Sequence, residues 1–220
     1  MTSSLYDDDV MVGKLTRYAF QQTSSRLLQI HRFAETDEAH VEELLDIFNP
    51  ASGECIADVG CGVGRLAEMM QEIRPDLDFI LVNKSETQLA MCPAGFTKKF
   101  GLAEDLPFSP GDVDSIMATY VLGHVDLPRF INECRRLLAP RVYVYDLFRR
   151  SKARDCQIEK DLEYTERTIG DMLETFEYGG LKCLRLQCAD LVPDDISRLM
   201  PNPDTLSNAV SAALVFEKKR

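Results

Sequence analysis

The chain of 220 residues is long enough to bury one sizeable core, and its 45% hydrophobic and 28% charged residues are typical of a globular protein. Acidic residues outnumber basic ones by 36 to 25, which gives a formal net charge of −11. A surface of that sign repels phosphate backbones and anionic lipid, so we expect no nucleic-acid partner. The seven cysteines are scattered singly and no apolar run is long enough to cross a bilayer, so we expect a cytoplasmic protein without a membrane span.

Apolar residues recur at helical spacing through the first fifty residues, which carry no strand pattern. The spacing predicts one helix over residues 10–33 and a second over residues 37–48. A stretch rich in Asn, Pro, Ser and Gly at positions 49–53 then interrupts the pattern and indicates a boundary. We therefore divide the chain into an N-terminal helical cap, residues 1–50, and a main domain, residues 51–220.

Strands and helices alternate after this boundary. The predicted strands cover residues 55–59, 79–82, 96–100, 113–120 and 142–145, and the predicted helices between them cover residues 65–73, 85–91 and 127–138. After a charged stretch, the pattern ends with a helix over 168–178 and two strands over 181–188 and 210–217. The alternation predicts an α/β fold with a parallel sheet covered on both faces. The last two strands have no clear helix between them, which predicts an antiparallel hairpin at one edge.

The strongest functional signal is the string CIADVGCGVG at residues 55–64. Three glycines follow an apolar run at every second position: Gly60, Gly62 and Gly64. Glycines between a strand and a helix let the backbone approach a ligand with no Cβ in the way. A dinucleotide-binding loop needs Gly-x-Gly-x-x-Gly, whereas Arg65 stands at the third glycine position of that pattern. The spacing therefore disfavours a nicotinamide oxidoreductase.

The glycine spacing resembles the first motif of class I S-adenosylmethionine (SAM)-dependent methyltransferases, where the loop receives the methionine end of the cofactor. The resemblance implies a Rossmann-like sheet of seven mostly parallel strands, helices on both faces, a C-terminal antiparallel hairpin and an N-terminal helical lid. It also implies SAM as the cofactor, S-adenosylhomocysteine as the product and a small-molecule substrate. No metal is expected, because the acidic stretch from Asp155 to Glu166 is interpreted as a solvated helix face rather than a magnesium–diphosphate site.

The candidate cofactor-binding residues lie at the carboxyl ends of the predicted strands, where open α/β sheets bind ligands. Asp58 suits the ammonium or sulfonium of SAM, and its alternative role is to brace the loop. Asn83 follows the second strand, where a carboxylate usually binds the ribose. The string VNKSETQ resembles the same segment of cyclopropane-fatty-acid synthases, sterol C-methyltransferases and prenyl-diphosphate C-methyltransferases. That resemblance implies ribose contacts from Asn83 and Gln88, and the alternative for Gln88 is a solvent-facing helix position.

The string GLAEDLPF at residues 101–108 resembles the family segment that binds adenine, with Leu102 in place of an Asp. The backbone of Leu102 and Ala103, or the carboxylate of Glu104, would then meet the adenine edge. The full set of predicted cofactor-binding residues is Asp58, Gly60, Cys61, Gly62, Gly64, Asn83, Lys84, Gln88, Leu102, Ala103, Glu104 and Tyr120.

Three residues near the ends of the fourth and fifth predicted strands are the catalytic candidates. The string TYVLGHV at residues 119–125 resembles a segment that reads Val-Leu-x-His in many small-molecule methyltransferases. We expect Tyr120 and His124 to face the methyl group or the acceptor, with His124 as a general base. The alternative for His124 is a loop-bracing or helix-capping role. Asp146 is expected to end the fifth strand beside the same crevice, and its alternative is an N-cap or a salt bridge with Arg149.

The leading hypothesis is a SAM-dependent methyltransferase that acts on a small molecule, such as an isoprenoid or another natural product. Two alternatives stay open. The first is a SAM-fold module that has lost catalysis and serves as a binding or scaffolding subunit, because Asn83 and Leu102 are neutral where the family usually has acids. The second is a methyltransferase for protein or RNA. The acceptor atom and the oligomeric state, including a homodimer, also stay open.

Overall fold

The structure is a computed structural model that describes residues 31–150, 165, 167–192 and 208–219. The helices in these residues are α1, Asp37–Phe48; α2, Arg65–Ile73; α3, Glu86–Met91; α4, Leu127–Arg136; and α5, Ile169–Tyr178. The strands are β1, Cys55–Val59; β2, Asp78–Asn83; β3, Thr97–Phe100; β4, Ser115–Thr119; β5, Arg141–Arg149; β6, Leu181–Ala189; and β7, Ala209–Lys218. A 3₁₀ turn over Leu122–His124 follows β4.

The seven strands form one sheet in the order β3-β2-β1-β4-β5-β7-β6. The first five strands pair in parallel, while β7 runs antiparallel to both β5 and β6. The chain order reverses at β1, which has β2 on one side and β4 on the other. The carboxyl ends of these three strands therefore surround the switch point, where ligands bind in this class of sheet. The predicted fold class is confirmed.

Short polar side chains begin four of the described helices, among them Asp126, which accepts from the backbone of Arg129 at the start of α4. Thr36 accepts a hydrogen bond from the backbone of Ala39 at the start of α1, and Ser85 accepts one from Gln88 at the start of α3. Thr168 begins α5 with a reciprocal capping box. Helices α3 and α5 consequently begin one residue after their predicted starts, because Ser85 and Thr168 serve as N-caps.

Two apolar clusters cover opposite faces of the sheet. Helices α4 and α5 pack on one face, where Phe130 and Phe176 are fully buried. Helices α1, α2 and α3 pack on the other face, together with Leu44 and Met70. Leu44 of α1 is itself fully buried against this face. The boundary predicted at residue 50 therefore crosses a continuous core, and residues 1–30 of the predicted cap lie outside the described residues.

Two predicted elements differ from the structure by more than two residues at one end. Residues 31–33 are not helical, since the backbone of Arg32 bonds that of Leu191 at 2.8 Å; the rest of the helix predicted over 10–33 lies outside the described residues. Strand β5 continues to Arg149 because its last residues still pair with β7. Asp146 therefore lies inside β5, opposite Ala212, and not at the strand end as predicted.

Candidate active site

The glycine loop joins β1 to α2 and has a left-handed backbone at each of its three glycines, with φ of 72° at Gly60, 57° at Gly62 and 78° at Gly64. A Cβ at Gly60 would lie 2.3 Å from the side chain of Val121, and one at Gly64 would lie 2.8 Å from Leu81. Packing therefore excludes a side chain at both positions. A Cβ at Gly62 would meet no atom within 4 Å, so Gly62 faces open space.

Backbone hydrogen bonds hold the start of the loop against β2 and leave two donors unused. The N–H groups of Gly60 and Cys61 both donate to the carbonyl of Val82, at 2.8 and 3.2 Å. The N–H groups of Gly62 and Val63 donate to none of the residues that the structure describes. Two free donors at an open glycine suit an anion such as a carboxylate.

Asp58 lies next to the end of β1 and is 2% exposed. Its carboxylate accepts no hydrogen bond from the described part of the chain, and burial raises the pKa of this carboxyl to about 7. A buried carboxylate without a donor is costly, and a bound cation offsets that cost. Asp58 therefore fits a positively charged group beside the loop.

Asn83 ends β2 and braces the glycine loop. Its side-chain nitrogen donates to the carbonyl of Gly62 at 3.3 Å and to the side-chain oxygen of Gln88 at 2.8 Å. Its side-chain oxygen accepts from the backbone of Ser85 at 3.0 Å. A carboxylate at position 83 has no hydrogen to donate to either oxygen, which gives a physical reason for the neutral residue. Gln88 is buried, so the solvent-facing alternative for it is wrong.

The segment after β3 lies beside Asn83, because the N–H of Gly101 donates to the Asn83 carbonyl at 3.1 Å. Leu102 presents a side chain that is 44% exposed, and Ala103 is buried. The carboxylate of Glu104 accepts from the backbone of Asp126 at 2.8 Å, just before α4. This geometry leaves the exposed face of Leu102 and the adjoining backbone for a base ring, while Glu104 already has a partner.

Tyr120 follows β4 with a left-handed backbone, φ 54°, which is strained for a bulky side chain. Its N–H donates to the carbonyl of Tyr145 at 2.9 Å, and its hydroxyl lies 2.7 Å from the hydroxyl of Ser211 in β7. Ser211 in turn lies 3.1 Å from Nδ1 of His31. These contacts set the direction in which the chain leaves β4 and fix the position of the Tyr120 hydroxyl.

The carboxylate of Asp146 is fully buried and holds the 3₁₀ turn. One of its oxygens accepts from the backbone of Val121 at 3.1 Å and of Leu122 at 2.8 Å. The other oxygen accepts from the backbone of Leu147 at 2.7 Å. An oxygen that already accepts two hydrogen bonds is poorly placed to take a proton from a substrate, so this geometry favours a bracing role.

His124 ends the 3₁₀ turn. Burial and, to a smaller extent, the positive charge of Lys84 nearby together lower the pKa of its imidazole to about 4. His124 is therefore neutral at pH 7 and able to accept a hydrogen bond or a proton. Lys84 and His124 come from opposite sides of β1, so the structure brings these two predicted residues together at the switch point.

Residues 57–145, from β1 to β5, match a family model described as a methyltransferase domain. This part of the chain is therefore similar to methyltransferase domains. The matched region includes the glycine loop, Asn83, Tyr120 and His124. The predicted resemblance to class I SAM-dependent methyltransferases is thereby confirmed.

Uncharacterized methyltransferases of Mycobacterium tuberculosis and Mycobacterium bovis are 27% identical to this chain over 92 residues, or 40% of its length. The match covers 46% of each relative, so the chain spans about half the length of the curated relatives it matches.

Solved structures share the fold at low sequence identity. The [4+2]-cyclase SpnF has a TM-score of 0.79 at 15% identity, covering 98% of this chain and 96% of that one. Geranyl diphosphate C-methyltransferase of Streptomyces coelicolor A3(2), solved with Mg²⁺, geranyl diphosphate and S-adenosylhomocysteine, has a TM-score of 0.69 at 15% identity. The superposition covers 83% of this chain and 77% of that methyltransferase.

Sequence reasoning missed two residues that contact the candidate site. The thiol of Cys92 lies 3.6 Å from the carbonyl oxygen of Gly62, a contact between positions 30 apart in the chain, for which no local pattern exists. Ser211 contacts Tyr120, and here a signal was present: Ser211 is the one polar residue in the apolar run 209–216. A buried polar residue in such a run indicates a specific partner.

Among the described residues, no group of three or more His, Cys, Asp or Glu side chains could hold a metal ion. The acidic stretch 155–166 interpreted as a solvated helix face lies outside the part of the chain that the structure describes, apart from residue 165. None of the described helices is long and apolar enough to span a membrane.

Proposed function

We propose that the chain is a SAM-dependent methyltransferase that acts on a small-molecule acceptor. The observation that carries the proposal is the open face of Gly62 beside the buried carboxylate of Asp58, which accepts no hydrogen bond from the described residues. The methionine end of SAM carries an anion and two cations, and the loop offers matching groups of both signs. The methyltransferase domain and the SAM and S-adenosylhomocysteine complexes of structural neighbours support SAM as the cofactor.

The residues present fit SAM along its whole length. The N–H groups of Gly62 and Val63 would hold the carboxylate, and Asp58 would hold the ammonium or the sulfonium. The side-chain nitrogen of Gln88 is the donor left for the ribose, because Asn83 uses both of its own hydrogens on Gly62 and Gln88. The exposed side chain of Leu102 suits the face of the adenine.

When bound, SAM supplies a methyl group on a sulfonium, which is a strong electrophile without further activation. The main task of the protein is therefore to align the acceptor with that methyl group. Tyr120 and the 3₁₀ turn, held by Ser211 and Asp146, form a fixed wall beside the glycine loop. His124 stands in this wall as a neutral imidazole that accepts the acceptor's proton.

The role of His124 is testable by replacement with alanine. We expect kcat to fall by about tenfold to a hundredfold, at the low end for a general base because its pKa of about 4 makes it a weak one. The Kd for SAM should stay within about twofold, since His124 touches the acceptor side. In the unaltered enzyme, kcat should be flat from pH 8 to about 5 and fall below that as His124 becomes protonated. An unchanged kcat contradicts the role.

A small acceptor is supported by the net charge of −11, which disfavours RNA, and by relatives such as the geranyl diphosphate C-methyltransferase, whose substrate is a small isoprenoid. An isoprenoid or another natural product is therefore the acceptor class that we would test first. A cytoplasmic location and a helical cap formed by the first fifty residues belong to the same proposal. The free cysteines of the described residues agree with a reducing compartment.

A second candidate function is a SAM-fold module that binds a ligand without transferring a methyl group. The [4+2]-cyclase SpnF has a similar fold, so the fold alone does not determine the reaction. In this chain, the carboxylates of Glu104 and Asp146 and the hydroxyl of Tyr120 are already bonded within the protein. Few groups are then left for chemistry on the acceptor side.

Two measurements separate these functions. Calorimetry with SAM and with S-adenosylhomocysteine should give submillimolar affinity for both, and the absence of binding to both ligands contradicts the methyltransferase. Transfer of a radiolabelled methyl group is then measured with a panel of isoprenoid diphosphates, phenols and amines, and with protein and RNA. Transfer to one of them supports the methyltransferase, whereas binding without transfer to protein, RNA or any small acceptor supports the module.

A further inference from the structure

Two thiols converge on the carbonyl oxygen of Gly62. The sulfur of Cys61, inside the loop, and the sulfur of Cys92, just after α3, each lie 3.6 Å from that oxygen. The two thiols also act on each other's ionisation, since the interaction raises the pKa of Cys61 and lowers that of Cys92. Cys92 packs along the loop as well, because a Cβ at Gly64 would lie 3.4 Å from its sulfur. Both cysteines are free thiols in the structure.

The surroundings of the pair make one sulfur the better nucleophile. The neighbouring Cys61 thiol lowers the pKa of the Cys92 thiol, and the charge of Lys98 acts in the same direction against the effect of burial. The same contact and burial raise the pKa of Cys61. Thiolates react with peroxides and thiols do not, so oxidation would begin at Cys92.

We propose that Cys61 and Cys92 form an oxidation site whose disulfide lowers the affinity of the glycine loop for SAM, an inference that rests on the proposed function. The oxidant is a peroxide. The Cys92 thiolate attacks one oxygen of hydrogen peroxide, the O–O bond breaks, and hydroxide leaves and takes up a proton to become water. The sulfur of Cys61 then attacks the resulting sulfenic acid. An S–S bond forms, the S–O bond breaks, and the Cys61 proton leaves with the hydroxyl as a second water.

The disulfide acts on the loop through two changes. Both S–H groups disappear, that of Cys61 beside the Gly62 carbonyl and that of Cys92 between this carbonyl at 3.6 Å and the Gln88 carbonyl at 3.4 Å. Asn83 is then the remaining side-chain donor to Gly62 among the described residues. An S–S bond of about 2.05 Å is also much shorter than any contact between two thiols, so Cys61 must move toward Cys92. The N–H of Gly62, which the proposed function assigns to the SAM carboxylate, follows Cys61 directly in the chain. The loop therefore cannot keep its donors in place.

The first test maps the bond. The full chain is treated with hydrogen peroxide or with dithiothreitol, digested and examined by mass spectrometry. We expect a linked peptide pair that contains Cys61 and Cys92, a loss of two hydrogens in the intact mass, and reversal by dithiothreitol. Linkage that involves other cysteines, or oxidation of Cys92 to the sulfinic acid without a link to Cys61, overturns the proposal.

The second test measures SAM affinity by calorimetry before and after peroxide, with each variant compared with its own reduced form. The Kd of the unaltered chain should rise by at least about tenfold on oxidation and recover with dithiothreitol. Cys92→Ser keeps a hydroxyl donor for Gly62 and cannot form the bond, so its Kd should not change with peroxide. The control Cys188→Ser removes an exposed thiol and should respond like the unaltered chain.

The outcomes separate this inference from the proposed function. A linked Cys61–Cys92 pair with unchanged SAM affinity overturns the inference and leaves the methyltransferase standing. A Cys92→Ser variant that still loses affinity with peroxide also overturns it, because another site must then be responsible. If the reduced chain binds no SAM, both the proposed function and the control of SAM affinity by oxidation are overturned. The peptide map still shows in that case whether Cys61 and Cys92 form a disulfide.

Discussion

Two halves of one crevice use their polar groups in opposite ways. The loop half, made of Asp58, the glycine loop 60–64, Asn83 and Gln88, keeps a buried carboxylate and two backbone N–H groups without partners among the described residues. The turn half, made of residues 120–124 and Asp146, binds its own carboxylate and hydroxyl internally. The loop half is therefore prepared for a ligand that carries both signs of charge. The turn half is a rigid wall that positions a partner by shape.

Of the substitutions in the loop half, one at Gly62 should weaken SAM binding most. We expect Gly62→Val to weaken SAM binding more than about a hundredfold, because the side chain fills the open face where the cofactor would lie. A valine at φ 57° is also strained, so the fold needs its own measurement. Calorimetry gives the affinity, and circular dichroism with thermal unfolding reports the fold.

Gly111→Val is the matched control for that strain. Gly111 has φ 88° and a Cβ there would also meet no atom within 4 Å, but it lies in an exposed turn between β3 and β4. Both variants should lose similar stability, while Gly111→Val keeps its affinity for SAM. Equal loss of binding in the two variants would mean that strain, and not the open face, explains the effect at Gly62.

The next largest effect is expected at Asp58. Asp58→Asn removes the negative charge, and we expect SAM to bind about tenfold to a hundredfold more weakly, the range for a lost charge-assisted hydrogen bond. The unliganded variant should nevertheless be more stable at pH 7 than the unaltered chain. The reason is that the raised pKa of Asp58 makes its ionised form a cost to the folded state at neutral pH. Urea unfolding at pH 7 measures this gain, and a loss of both stability and affinity would mean that Asp58 braces the loop.

The pH dependence of SAM binding gives Asp58 a second signature. A cation binds the ionised carboxylate, so with a pKa of about 7 the affinity should be full above pH 7 and fall as the pH drops below it. The slope is at most tenfold per pH unit. Asp58→Asn should remove this slope between pH 5.5 and 7. A slope that persists in the variant would assign the titration to another group.

Much of the fold was predictable because hydrophobic runs and their Gly or Pro ends are local properties of the chain. Strand β1 and helices α1 and α2 have their predicted bounds, and the ends of β2 differ by one residue. Strand β5 is longer than predicted because its last residues depend on pairing with β7, sixty or more positions later. No local pattern carries that information.

The candidate site divides in the same way. The glycine loop and the positions of Asp58 and Asn83 follow from the order of residues after a buried strand. The partners of Asp146, which lie 24 and 25 positions earlier, and the approach of Cys92 to Gly62 depend on how distant segments meet. A carboxylate near a crevice predicts catalysis and bracing equally well until its hydrogen bonds are known.

The stability of an Asp146 variant therefore tests whether this carboxylate braces the turn half. In the native chain a carboxylate oxygen of Asp146 accepts a hydrogen bond from the backbone N–H of Leu147. Asp146→Asn places an amide N–H₂ there, so that two donors face each other, and we expect the free energy of unfolding to fall by about 1 to 3 kcal/mol. The Kd for SAM should change little, because the loop half does not touch this carboxylate. Urea unfolding and calorimetry measure the two quantities. Asp112→Asn, which changes an exposed carboxylate that accepts from Ser109, should cost less than about 0.5 kcal/mol. Full stability with a lost kcat would instead make Asp146 catalytic.

Ser211→Ala should have the smallest effect, and it tests whether the wall is held by hydrogen bonds or by packing alone. The change removes the hydroxyl that joins Tyr120 to His31, and we expect a loss of about 1 kcal/mol in the free energy of unfolding. Ser115→Ala is the matched control, because Ser115 is also fully buried in a strand but its hydroxyl has no partner in the described chain. Removing that hydroxyl should be neutral or stabilising. If Ser211→Ala loses more stability than Ser115→Ala, the stabilisation comes from the Tyr120–Ser211–His31 contacts. If Ser211→Ala also lowers kcat at an unchanged Kd for SAM, these contacts act on the acceptor side of the site. Equal stability in both variants would leave the left-handed turn at Tyr120 held by apolar packing.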